Sequence, residues 1–281
     1  RGMSVQMTIL GCGNSSGTPS IGNFWGNCDP NEPKNRRLRP SIAIQSDTTT
    51  IIVDTGPDFK QQINNTNIQK IDAVLYTHSH ADHIHGIDDL RVFRHRFKQT
   101  VPIYCLPKTL EDIKGRFEYL FQHGGGGLYP IVVEPYIYED ENLCLPQTVG
   151  DIEFIPFKQD HGTSTSLGFR FGDTAYSTDM VDLDDQAIDI LQGIKTWVVD
   201  GAGYNFPQNP VHCTLEKVLQ LNERVQAEKL FITHLTTLMD YKTLCEELPE
   251  YAKPAHDGLV LPISYNFSVK NGLKDTNSAQ S

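Results

Sequence analysis

The 281-residue chain has no run long and apolar enough to span a bilayer, and its N-terminal residues lack the apolar core of a secretory signal. It has no Cys-x-x-Cys pair. Its six cysteines, at positions 12, 28, 105, 144, 213 and 245, are scattered, which reads as reduced thiols in a cytoplasmic protein rather than a disulfide frame. It is also short of positive charge: Lys and Arg total 24 against 35 Asp and Glu, a net charge of −11. Binding to a nucleic-acid backbone rests on cations that neutralise phosphates, so nucleic acid is disfavoured as the main partner. A small phosphate ester is still compatible, provided bound metal supplies the local positive charge. No short internal repeat is visible. With 38% hydrophobic and 21% charged residues, the composition is that of a globular protein able to bury a sizeable core.

Against this acidic background stands Thr77-His78-Ser79-His80-Ala81-Asp82-His83. The apolar run Ala73–Tyr76 before it reads as a buried strand, so the cluster falls where a strand gives way to a helix. His78 and His80 are two apart and point the same way in an extended segment. Asp82 and His83 follow on the turn and can face a second point. One strand end can thus serve two adjacent ions, and imidazole with carboxylate suits zinc, manganese or iron.

His-x-His-x-Asp-His after a strand resembles the signature of the metallo-β-lactamase superfamily. Together with His83-Ile84-His85-Gly86-Ile87-Asp88-Asp89 and the N-terminal Leu10-Gly11-Cys12-Gly13-Asn14-Ser15-Ser16-Gly17-Thr18-Pro19, it is similar to the branch containing phosphoribosyl 1,2-cyclic phosphate phosphodiesterase. The resemblance implies an α/β, αββα four-layer sandwich in one domain over residues 3–270, with a disordered polar tail over 271–281. It also implies two divalent ions, Zn2+ or Mn2+. His78, His80, His161 and Asp179 would hold one ion, and Asp82, His83, Asp179 and His234 the other. On the residues alone, a helix cap for the following segment is the local alternative for Asp179.

The same resemblance makes Asp54, at a strand end before Thr55-Gly56, a carboxylate that orients ligands; an Asx turn is the local alternative. His212, at a helix start, would lie on the substrate side and bind or protonate the reacting phosphate. Asp82 and His212 are therefore the expected catalytic residues. The branch carries a structural zinc held by several cysteines and a histidine after the last metal motif. Here Cys28 stands alone and Leu235-Thr236-Thr237 follows His234, so no such zinc is expected.

Periodicity places strands over 5–10, 41–45, 50–54, 101–105, 131–138, 152–157, 167–171, 174–177, 196–200, 229–233 and within 258–269. It places helices over 84–97, 109–121, 215–225 and 241–251. Lys34–Arg39 is either a surface that attracts anions or a solvated loop with local ion pairs. His85 is expected to be structural. Gly124–Gly127 reads as a mobile loop or a plain linker. The expected activity is hydrolysis of a small cyclic or nucleotide-like phosphodiester by a hydroxide activated between two metals. Alternatives are a tRNA 3′-processing endonuclease, a thioester hydrolase and a non-catalytic metal-binding carrier. No membrane partner is expected, and a homodimer is left open.

Overall fold

The computed structural model describes residues 4–265. Two seven-stranded mixed sheets pack face to face, with helices on their outer faces. The first sheet contains β1 (Val5–Gly11), β2 (Ser41–Gln45), β3 (Thr50–Val53), β4 (Ala73–Leu75), β5 (Val101–Cys105) and β6 (Val133–Ile137). The second contains β7 (Gln147–Val149), β8 (Ile152–His161), β9 (Ser164–Phe171), β10 (Thr174–Ser177), β11 (Thr196–Asp200), β12 (Lys229–Thr233) and β13 (Ala252–Pro254). β14 (Val260–Ile263) returns to the first sheet, antiparallel to β1.

The apolar alternation explains the layering. Ile51, Val53, Ala73 and Leu75 face the second sheet, where they meet Phe154, Phe157 and Phe169. Ile52 and Val74 point the other way, towards Phe59, Ile63, Leu90 and Ile113. Those residues come from α1 (Phe59–Thr66), α3 (Leu90–Phe97) and α4 (Pro107–Phe117); between α1 and α3 lies the single turn α2 (Ala81–Ile84). On the second sheet, α5 (Asp185–Leu191), α6 (Leu215–Val225) and α7 (Tyr241–Glu247) add Ile188, Val218 and Leu244 to the central core. The result is the expected αββα sandwich.

Each sheet has an antiparallel half and a parallel half. β3 to β6 run parallel, as do β10 to β13. Chain leaving the carboxyl ends of the parallel strands collects at one rim, the usual place for a site in such sheets. Asp54, Asp179 and His234 each stand just past such an end with left-handed backbone, φ 65, 49 and 59°. Asp and His tolerate this conformation better than bulky residues do, and it marks a sharp bend in the chain at the strand exit.

The structure corrects several boundaries. The helix expected over 84–97 is broken: α2 stops at Ile84, a 3-10 turn covers Ile87–Asp89, and α3 follows. The break is at Gly86, whose N–H donates to Thr55 O at 2.8 Å; a Cβ there would lie 2.0 Å from Gly56 O. The fourth helix runs Pro107–Phe117 rather than 109–121, and the last ends at Glu247, ahead of Pro249. β8 extends to His161, and the short strands β7 and β13 had no clear periodic signal. Gly125–Gly127 forms a 3-10 turn closed by Gly124 and Tyr129. Of the strand signal over 258–269, residues 266–269 lie outside the described residues, as does the 271–281 tail.

Candidate functional site

At the rim, the side chains singled out in the sequence converge. His78, His80, His161 and Asp179 offer ligand atoms all within 4.8 Å of one another, and so do Asp82, His83, Asp179 and His234. Asp179 belongs to both groups. Its Oδ2 lies 3.6 Å from Nε2 of His78 and of His161, and its Oδ1 lies 3.1 Å from Nε2 of His83 and of His234. Asp82 Oδ2 is 3.3 Å from His83 Nε2 and 3.4 Å from His234 Nε2. Apart from exposed His80, all these residues are buried. Asp179 is not a helix cap; Asp184 caps α5.

These groups fit divalent cations. The Nε2 atoms of His83 and His234 are buried and accept or donate no hydrogen bond, although carboxylate oxygens lie close to both. Nitrogens and oxygens that approach without hydrogen-bonding geometry suit ligands aimed at a common ion. His78 Nε2 and His80 Nδ1 are 2.9 Å apart, and such a pair can share only one proton.

The electrostatics agree. Burial alone would drive the His83 and His234 rings towards neutrality, yet Asp179 and its neighbours outweigh it. They hold His83 well above the ordinary range and lift His234 to about 10. Burial raises Asp179 and Asp82, but the surrounding imidazoles bring both below the usual carboxylate range. His78, by contrast, is pushed well below its ordinary value, chiefly by burial and then by His83. The buried carboxylates call for positive charge, and imidazole with carboxylate is a set that zinc or manganese accepts.

The ligand rings are oriented from behind. Asp54, wholly buried, accepts from His83 Nδ1 at 2.6 Å, from Thr77 Oγ1 at 2.7 Å and from Thr77 N at 2.8 Å. This places the His83 proton on Nδ1 and leaves Nε2 for the centre. Val211 O does the same for His161, accepting from Nδ1 at 2.7 Å. His212 stacks on His234 with ring centroids 4.7 Å apart and lies 5.2 Å from His161. Its Nδ1 is 2.6 Å from Asp200 Oδ2. Asp200 is fully buried and also accepts from Met180 N and Ala202 N.

Asp200 went unremarked in the sequence except as a strand end. Its signal was there: Val199-Asp200-Gly201 repeats the carboxylate-before-glycine pattern of Val53-Asp54-Thr55-Gly56. His85 stays outside both ligand groups, beside Arg116 and the Phe117 ring. Most of the basic run is the solvated loop with local ion pairs, Lys34 and Arg36 exposed and Arg39 paired with Asp58 at 2.8 Å, but Arg37 departs from it. Arg37 is only 2% exposed and donates to Met239 O at 2.6 Å and to Asn35 Oδ1 and Thr236 O at 3.1 Å. It therefore ties the N-terminal loop to the segment after His234, with Nη1 3.7 Å from Cys28 Sγ.

This fold, with histidines and aspartates gathered at the strand ends, defines a protein of the metallo-β-lactamase type. The beta-lactamase superfamily domain matches residues 49–235, and the chain belongs to that superfamily, in its PhnP-like branch. A solved diphosphatase of the PhnP family is 33% identical with a TM-score of 0.81, over 93% of this chain and 98% of that one. An octanoyltransferase of Porphyromonas gingivalis (strain ATCC BAA-308 / W83) is 30% identical over 257 residues, which is 91% of this chain and 51% of that protein. A ribonuclease Z of Thermococcus sibiricus (strain DSM 12597 / MM 739) is 28% identical over 141 residues, 50% of this chain and 44% of that protein. The chain spans about half the length of the curated relatives it matches. Among the described residues, no helix is long and apolar enough to cross a membrane.

Proposed function

We propose that the chain is a phosphodiesterase that cleaves a small cyclic or nucleotide-like phosphodiester with two divalent ions, Zn2+ or Mn2+. His78, His80, His161 and Asp179 would hold one ion, and Asp82, His83, Asp179 and His234 the other. The observation that carries the reading is the Asp200–His212 pair, with His212 stacked on His234 beside two histidine groups that share Asp179. Ions held there supply Lewis acidity, which lowers the pKa of water and offsets charge on phosphoryl oxygens.

The protein's own groups do the rest. Asp54 and the Val211 carbonyl hold two ligand rings in one tautomer each. Asp200 holds His212 by Nδ1, so His212 Nε2 is the atom that protonates the leaving oxygen. This is the orienting logic of a carboxylate behind a catalytic imidazole. A thiolate nucleophile is not supported: burial pushes Cys12 and Cys213 well up and Cys105 to about 12.

The test is hydrolysis of bis(p-nitrophenyl) phosphate by metal-depleted protein refilled with zinc or manganese. On a diester with an alkyl leaving group, which must be protonated to depart, turnover should fall by about 100-fold or more in His212→Ala and Asp200→Asn with metal content unchanged, while the p-nitrophenyl diester should fall less. Full activity in Asp200→Asn would remove the proton-donor role. The ribonuclease Z similarity favours a second reading, a precursor tRNA substrate, against which the charge of −11 argues. Faster cleavage of precursor tRNA than of any small diester would replace the first reading with the second. Hydrolysis of acyl thioesters alone would overturn both.

A further inference from the structure

A cavity of about 620 Å³ lies between α3 and the segment leading into β6, away from both ligand groups. Its size is within the range of small-molecule sites, ~300–1,000 Å³. Although the chain is acidic, no Asp or Glu lines this cavity; Arg91, Arg94, His95 and His123 do, together with Tyr119 and Tyr129. The cationic side is held in place. Asp88, outside the lining, accepts from Arg91 Nη2 at 2.9 Å and from Tyr119 Oη at 2.7 Å, and so ties two walls to one carboxylate. Arg94 Nε donates to Ile131 O at 2.9 Å, which anchors the guanidinium.

The opposite wall is an apolar arm left open to solvent. Leu128 is 73% and Tyr129 57% exposed. The arm is folded back by Gly125, Gly126 and Gly127, with φ 58, 65 and 96°, and closed by reciprocal 3.1 Å bonds between Gly124 and Tyr129. Such a glycine turn can swing the Tyr129 ring with little steric resistance. The segment that carries Tyr119 also touches the His78–His83 stretch, through Arg116, which lies outside the lining. Arg116 donates to Ser79 O at 2.8 Å, between His78 and His80, and Tyr119 follows three residues later.

We propose that this cavity binds a nucleoside 5′-monophosphate group, with its base against the Tyr119 and Tyr129 rings and its phosphate on the Arg91, Arg94, His95 and His123 side. Aromatic faces accept any base by stacking; Arg91 is already paired with Asp88, so Arg94 with the His95 and His123 rings, in a lining that holds no carboxylate, is the side that takes the phosphate. The group is either a free nucleotide or a non-reacting nucleotide of a larger diester substrate whose scissile phosphate is a different one; only the second case rests on the proposed function.

The probe is adenosine 5′-monophosphate titrated into the full-length protein, followed by calorimetry and by the histidine ring signals in NMR, with inorganic phosphate as control. Saturable binding should move the His95 and His123 signals, which phosphate alone should not do to the same extent. Tyr129→Ala and His123→Ala should each weaken it by roughly tenfold. No binding, equal affinity in both variants, or binding that leaves His95 and His123 unmoved would overturn the site. If the site holds part of the substrate, Tyr129→Ala raises KM for a nucleotide diester and lowers kcat little. If it holds a free nucleotide, that KM does not move. Lack of any hydrolysis would defeat the proposed function and leave the titration result standing.

Discussion

Replacing Asp54 by Asn keeps the shape of the side chain and removes one acceptor from a place where three donors converge. Oδ2 accepts from His83 Nδ1 at 2.6 Å and Thr77 Oγ1 at 2.7 Å, while Oδ1 accepts from Thr77 N at 2.8 Å. An amide has a single acceptor oxygen, so it can meet only one side. With its oxygen towards His83, the amide NH2 faces the Thr77 N–H, and a buried donor is left unpaired at a cost of about 1–3 kcal/mol. With its oxygen towards Thr77, the NH2 faces His83 Nδ1, which drives the ring proton to Nε2 and removes the lone pair meant for the centre. Either outcome should weaken retention of the ion beside His83 by roughly 10–100-fold, the usual cost of losing a group that orients a ligand. The assay is metal content after dialysis against a graded series of chelator concentrations, for wild type and Asp54→Asn in parallel. Chelation curves that superimpose would refute the claim that Asp54 sets the His83 tautomer.

Two further outcomes follow from buried charge. Arg37→Met removes the bonds to Met239 O, Thr236 O and Asn35 Oδ1 and leaves Met239 O without its donor, while Thr236 O keeps the Met239 N–H and Asn35 Oδ1 the Tyr241 N–H. It should lower stability by about 3 kcal/mol and Tm by roughly 6–12 °C; a Tm within a degree or two of wild type would show that the staple is dispensable. In the metal-free protein, burial opposes charge on His234 but Asp179 prevails, and the ring sits at about 10. A raised folded-state pKa stabilises fully below the unfolded value of about 6.5, and that contribution is lost as pH climbs towards the folded value. The Tm gap between chelated wild type and His234→Gln should therefore narrow from pH 6.5 to 10; a constant gap would exclude the charged ring.

The candidate site was legible wherever its chemistry is local. His78, His80, Asp82 and His83 fall within one strand-to-helix turn, and a strand periodicity of two already tells which of them point together. Asp54 carries a recognisable position, a strand end before glycine. The sandwich itself follows from apolar runs of strand length alternating with helical spacing, and from glycines and prolines that end each run. The break at Gly86 was not legible, because it answers to a backbone crossing by Gly56 that lies 30 positions earlier in the chain.

The sequence by itself determined the class of ligand, the strands that carry it and the family resemblance, since these depend on residue type and short-range spacing. Tertiary structure alone decided that Asp200 holds His212, that Arg37 is buried, and that a cavity with no carboxylate in its lining opens beside α3. Each of these depends on where chain segments far apart in sequence come to rest against one another. The directions of side chains at such meetings are set by the packing of two sheets and their helices, which no local pattern encodes.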